Sequence, residues 1–442
     1  MATATGSTGT QPPGTMGLPG IGETLAFTKD PFAFVAERRA RYGRVFRTSL
    51  LGSSWAVLVG PEPFEAFYDP ENVKREGANP ANVQTLFGGA DVINNLDGSE
   101  HTRRKGVVSA ALSREAIEAY LPTMTSFVDA AFARWTSAGE IGWNDELKRL
   151  AIETLGAVFA SIDSAAELAA LVKRCEAIAA AFTSLPIPLP GTAYTTGVRA
   201  KTEALAYYHE LIHAHRERTY DDGLARILAA KRDDGTTIAD DEAAGELHHL
   251  FLAGFVVFGL FVGTIERLTE RPDVRERLEA AVATLPDVPA SSDLAANAYL
   301  MQVVNEVRRL TPIVPIVFGK ARRTFVVDGF EIPAGWGVAA AVWSNDREAA
   351  SYPDPERFDP DRFGERDAQA HPYAYTPQGA GPPGGHRCPG FDLTTMFLAL
   401  FTARLVRGYR WTLPEQDLAP NWGVVPPVPR GGLRAVVRAR ES

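Results

Sequence analysis

The sequence predicts a mainly α-helical chain with a minor β part, and three observations carry that prediction. From Arg114 to Arg232, Ala and Leu recur at intervals of three and four residues, broken only by the Pro-rich run from Leu185 to Pro190. From Asp240 to Arg271 the pattern is that of one long helix with an apolar middle. Against these stand only short β-like runs flanked by Gly, Pro and Asp turn signals, at Val45–Val59 and Phe325–Val338. The 442 residues exceed the usual size of one core, yet no Ser/Gly linker or shift in composition divides the middle. Residues 21–442 are therefore read as one domain behind a flexible tail over residues 1–20.

The apolar spacing of Phe32, Phe34, Val35 and Ala40 predicts a first helix between Asp30 and Tyr42. Val45-Phe46-Arg47 and Trp55 to Val59 read as a hairpin, and Pro61 opens a short helix that ends near Tyr68. Asn72 to Gly98, rich in Asn, Gly and Pro, reads as a long connecting loop, and such loops inside a domain are usually functional. Gln84 is the candidate there for a polar contact with substrate or water. The segment after it, Glu100 to Lys105, places His101 and Lys105 four apart on one helical face, where both can grip a single anion. Asp328-Gly329 marks the turn of a later hairpin, preceded by the apolar run Ile313-Val314-Pro315-Ile316-Val317. The stretch from Trp411 to Arg438 reads as extended and rich in turns.

Hydrophobic residues at 45% and charged residues at 22% are ordinary for a soluble enzyme, and a net charge of −9 argues against non-specific nucleic-acid binding. The first residues carry neither a charged nor an apolar targeting pattern, and the run Leu250–Gly263 is shorter than the roughly 20 residues a membrane span needs, so no span is expected. Cys175 and Cys388 stand in unlike settings, which argues against a disulfide and for a reducing, cytoplasmic compartment. His209 and His213 are four apart, but their Glu, Arg and Lys neighbours mark a solvated face, not a metal site.

The chemistry converges on Cys388. From Pro377 to Arg387 glycine and proline dominate, which excludes helix and strand, whereas Phe391 to about Arg407 is apolar and free of both. The sulfur thus sits at the mouth of a helix, where unpaired N–H groups and the helix dipole favour thiolate. A thiolate so held is suited to bind haem iron. A second signal is Glu306-Val307-Arg308-Arg309, whose acid and base at i and i+3 share a helix face.

Together Gly385-His386-Arg387-Cys388-Pro389-Gly390 and Glu306-x-x-Arg309 resemble the cytochrome P-450 family of haem-thiolate oxygenases. Arg41-Tyr42, Phe67-Tyr68-Asp69, Val83 to Gly88, Asp97 to His101, Pro377-Gln378-Gly379 and Pro414-Glu415-Gln416 resemble its bacterial fatty-acid peroxygenase branch more closely. The resemblance implies the cytochrome P-450 fold, haem b held by Cys388, and propionate contacts from His101, Lys105 and His386. It also implies that Glu306 and Arg309 join Arg362, with Arg357 as the competitor, to brace the cysteine loop. Gly319-Lys320 stands where many relatives place a propionate-binding arginine.

The chain departs from the family on the helix expected above the haem. Oxygen-activating members carry an acid and an alcohol there to deliver protons, and the peroxygenase branch carries Arg-Pro, whose arginine holds a fatty-acid carboxylate. Two registers place either Leu252-Ala253 or Val256-Val257 at that pair, and neither restores a charge. His249 falls on the same stripe as Leu252, Ala253 and Val256, which makes it the candidate proton donor or substrate anchor. The pocket is expected against Gln84, Leu252, Ala253, Val256, Val257, Ile313 and Val314. The expected function is peroxygenase-like oxidation of a small hydrophobic substrate with hydrogen peroxide. The alternatives are a monooxygenase fed by a ferredoxin and its reductase, or a non-oxidative rearrangement, cyclisation or ligand binding in the haem pocket.

Overall fold

The computed structural model describes residues 9–89, 91–364 and 371–440. The predicted helical stretch resolves into Arg114–Ser137, Trp143–Ala160, Ala165–Phe182, Ala193–Glu217 and Gly223–Ala229, with the Pro-rich run as the link before Ala193. These pack with Asp240–Phe255, Phe258–Glu270, Ala298–Leu310 and Phe391–Gly408 around one large apolar core, in which Phe132, Trp135, Trp143, Phe251 and Phe261 are fully buried. The helix expected between Asp30 and Tyr42 is Pro31–Tyr42: it starts with proline, its first amides at Phe32 and Ala33 donate to the Asp30 carboxylate, and it stops at Gly43.

Among the described residues the minor β part is three sheets. The largest has five strands in the order Val45–Leu50, Ser53–Leu58, Gly337–Ala340, Val317–Ala321, Val73–Lys74, and only Ser53–Leu58 with Gly337–Ala340 is a parallel pair. Phe325–Val327 and Phe330–Ile332 form the predicted hairpin, turning at Asp328 and Gly329, both at positive φ. Tyr409–Thr412, Arg434–Ala439 and Glu140–Gly142 form the third sheet, so the stretch after Trp411 returns to pair with the body.

Three expectations change. The segment 72–98 is not a plain loop: it holds the helix Ala81–Phe87 and a 3-10 turn at Ile93–Asn95. The supposed tail is tied down from residue 10 onward, since the Thr10 carbonyl accepts from Glu331 N and the Pro13 carbonyl from Arg47 N; residues 1–8 lie outside the described residues. The long distal helix is broken at Val256-Val257, where the amides of Val257, Gly259 and Leu260 bond three residues back. Two β-branched residues in succession weaken the helix there, and glycines on either side let neighbours press in. A Cβ at Gly254 would lie 2.1 Å from Leu155, and one at Gly259 would lie 2.3 Å from Pro426. By length and composition Asp240–Glu270 could cross a bilayer, but 78% of its most apolar window is buried inside the protein, as in a core helix.

Candidate functional site

Cys388 lies two residues before the helix Phe391–Gly408, capped by Gly390, and the approaching chain is pinned by Cys388 N donating to the Gln378 carbonyl at 3.0 Å. Gly379 takes φ +82°, and a side chain there would meet the His386 carbonyl at 2.9 Å, so the tight loop requires glycine. Burial pushes the Cys388 thiol up, while the Gly390 N–H and the charge of Arg308 oppose that rise. Cys175 is buried in the main core, its thiol pushed up by burial to about 12.

Behind the loop, Glu306 and Arg309 are fully buried and joined by two bonds of 2.7 and 2.8 Å. Arg362 reaches Glu306 at 2.9 Å, and Asp359 N donates to the same oxygen. Arg357 offers only its carbonyl, to Arg309 and Arg362. Arg309 also donates to the carbonyls of Asp346 and Pro355, so every group in this knot has a partner from another segment.

At the polar edge, His101 and Lys105 lie on the helix Gly98–Ser109, both buried. Lys105 Nζ donates to the Gly385 and Arg387 carbonyls, which ties its helix to the cysteine loop. His101 packs ring to ring with His386 at 4.2 Å, and His386 contacts Asp97 at 3.2 Å. Burial first, then the charge of His386, holds His101 down to about 4.

The group that sequence reading missed is Arg75. It is 5% exposed, stacks on Phe67 at 4.1 Å, bears electrostatically on His101 and His386, and leaves Nη1 without a partner. Gly319 makes room for it, since a Cβ there would lie 2.9 Å from that nitrogen. Where Gly319-Lys320 stands in place of the arginine of many relatives, the guanidinium of Arg75, just past the edge strand Val73–Lys74, lies beside Gly319. The signal available was the glycine itself.

Above the sulfur the polar groups thin out. In the second half of the helix Asp240–Phe255, Ala253 stands exposed and His249 and Gly254 half-buried, and Val256 at its C-cap is also half-buried. Leu252 and Val257, each 5% exposed, are buried in the main apolar core. His249 stacks on Phe87 at 5.7 Å, and Phe87 meets Phe182 at 4.7 Å, forming an aromatic wall from three helices. Burial holds His249 down to about 4, so it is neutral at ordinary pH. Gln84 does not face this wall with a free amide: its Nε2 donates to the Asn79 carbonyl at 2.7 Å and secures the start of its own helix. Ile313 is buried, whereas Val314 is 43% exposed.

A cysteine at a helix mouth, a buried cation with an unused N–H at one edge and an open apolar face opposite fit haem b. This combination defines a haem-thiolate protein. The "Cytochrome P450" family model matches residues 12–426, and the chain belongs to the cytochrome P-450 family, whose cofactor is haem b. It is similar to "Putative cytochrome P450 120" of Synechocystis, 30% identical over 95% of this chain and 94% of that one. It is also similar to "Abscisic acid 8'-hydroxylase CYP707A1" of Solanum lycopersicum, 26% identical over 96% and 90%. Among solved structures, "Retinoic acid bound cyanobacterial CYP120A1" superposes with a TM-score of 0.89 at 27% identity, covering 98% of this chain and all of that one. "Cytochrome P450SP alpha (CYP152B1) in complex with (R)-ibuprophen" does so with 0.82 at 25%, covering 94% and 98%. The protein is a haem-thiolate oxidoreductase.

Proposed function

We propose that the protein oxidises an uncharged hydrophobic substrate with hydrogen peroxide. One observation carries this: from His249 to Val256 the exposed and half-buried positions of the distal helix are His249, Ala253, Gly254 and Val256, none of them an acid, an alcohol or an arginine, and the nearest acid, Glu246, is tied to Arg104 at 3.0 Å. Reduction of dioxygen needs protons delivered to its far oxygen, whereas peroxide brings its own. A neutral imidazole can shuttle one proton between the two peroxide oxygens or hold a substrate carbonyl by its N–H. The same face explains the substrate class. Retinoic acid and ibuprofen, bound by the solved relatives, are carboxylic acids, and a carboxylate against this wall would be buried without a counter-charge.

When bound, haem b with a thiolate ligand supplies cleavage of the O–O bond. The chain's own part is to hold and shield. Cys388 would ligate the iron, Arg75 and His101 would meet the propionates, and Phe87, Phe182, Ala253, Val256 and Val314 would pack the substrate and exclude water. A ferredoxin-dependent monooxygenase is the second reading, favoured by relatives such as the abscisic acid 8'-hydroxylase. Purified holoprotein offered neutral terpenoids and aromatics decides between them. Product is expected with peroxide alone, and His249→Phe should slow that turnover at least tenfold. Product only with ferredoxin, reductase and NADPH would reject the peroxide reading.

A further inference from the structure

Arg308 is the one residue of Glu306-Val307-Arg308-Arg309 whose charge has no visible purpose in bracing the fold. It is fully buried on the helix Ala298–Leu310, and among the described residues no carboxylate lies within ion-pair distance of it. Its neighbour Arg309 shows the contrast, closed against Glu306 at 2.7 Å. A lone guanidinium out of water is costly unless some anion faces it.

Its hydrogen bonds lead to the sulfur. Nη1 donates to Thr395 Oγ1 at 2.6 Å, Nη2 donates to Gln378 Oε1, and the guanidinium lies 3.7 Å from the centre of the Phe391 ring. Thr395 donates in turn to the Phe391 carbonyl at 2.7 Å, which fixes the fork against the first turn of the helix behind Cys388. Because guanidinium can only donate, the Gln378 atom that meets it must be the oxygen. The amide nitrogen is then forced the other way, where it lies 3.9 Å from Cys388 Sγ and 3.4 Å from Thr394 Oγ1.

We propose that Arg308 is a positioning residue for the axial ligand: it orients Gln378 so that an N–H faces the sulfur, and its own charge balances the thiolate. Both effects draw electron density away from the sulfur and weaken its donation to iron. This holds whichever oxidant the enzyme uses.

The test uses purified ferric holoenzyme, reading the Fe–S stretch by resonance Raman and the ferric/ferrous potential by titration. Gln378→Glu keeps an acceptor for Arg308 and removes the N–H, so the stretch should move up and the potential down. Arg308→Gln should shift both the same way, Arg308→Lys less so because it keeps the charge without the fork. In a Gln378→Leu background the Arg308→Gln shift in the stretch should shrink to less than half. Unchanged stretch and potential in Arg308→Gln, or a full-sized shift in the Gln378→Leu background, would overturn the proposal. Should Arg308 variants take up no haem, Thr395→Val loosens the fork with the charge intact, and an unaltered stretch in both it and Gln378→Glu would overturn it equally.

Discussion

The two sides of Cys388 are built on opposite principles. Behind the sulfur, Glu306, Arg308, Arg309, Arg362, Lys105 and Gln378 knot five segments together through charged hydrogen bonds, most of them buried. In front, the distal helix from His249 to Val256 leaves open one neutral imidazole and small apolar side chains. A polar knot in low dielectric tolerates one geometry only, and an apolar wall tolerates many. The rear therefore fixes where the metal ligand stands, while the front is free to differ among relatives in what it admits. The largest test strikes the knot: Glu306→Ala leaves Arg309 buried and unpaired and should cost roughly 3–5 kcal/mol, with little holoprotein recovered. Normal haem content and an unchanged urea midpoint would break the comparison.

The contrast also decides what could be read from the chain alone. Glu306-x-x-Arg309, the glycine-rich run and Cys388 were legible because each rests on local spacing, and helix periodicity gives their neighbours. Arg75 was not, because its role arises when Gly319, remote in sequence, leaves a gap beside it. The contacts of Lys105 were not legible for a related reason: i and i+4 spacing says which residues share a face, not that the loop carbonyls of Gly385 and Arg387 meet Lys105. On the distal helix, periodicity put His249, Leu252, Ala253 and Val256 on one stripe, but which of these stay open depends on the elements packed against the helix: Ala253 is exposed and His249 and Val256 half-buried, whereas Leu252 and its neighbour Val257 are buried in the core.

Polar groups on the distal helix that do not face the pocket give the next effect. His248 is fully buried, its Nε2 2.9 Å from the Leu86 carbonyl, and burial holds it down to about 4. The unfolded chain takes up that proton near pH 6.5, so between about 6.5 and 4 the unfolded state binds more protons. Stability from this group is complete above about pH 6.5 and is lost as pH falls toward 4, by at most about 3 kcal/mol. His248→Gln keeps a donor for Leu86 and should flatten that decline between urea midpoints at pH 7 and pH 4.5; parallel declines would contradict it. At the boundary between the two regions, Arg75→Leu would remove the proposed bond to a haem propionate, of about 1.5–3 kcal/mol. Haem should pass to apomyoglobin roughly tenfold faster, and an unchanged rate would remove Arg75 from the cofactor site.

The smallest effect tests the front directly, by giving it the charge it lacks. Val256 is half-open at the helix break, and Leu252 is 5% exposed within the core. An arginine at 256 has open space before it, so its charge stays hydrated until a ligand arrives. One at 252 must either bury a cation among leucines and phenylalanines or unfold the helix around it. Val256→Arg should therefore tighten fatty-acid binding about tenfold, or 1.4 kcal/mol, read as the shift of the haem band on titration. Leu252→Arg should lower the urea midpoint and bind fatty acids no better. Were Leu252→Arg the variant that gains affinity, the gapless register would be the true one and the open face would have been assigned to the wrong stripe.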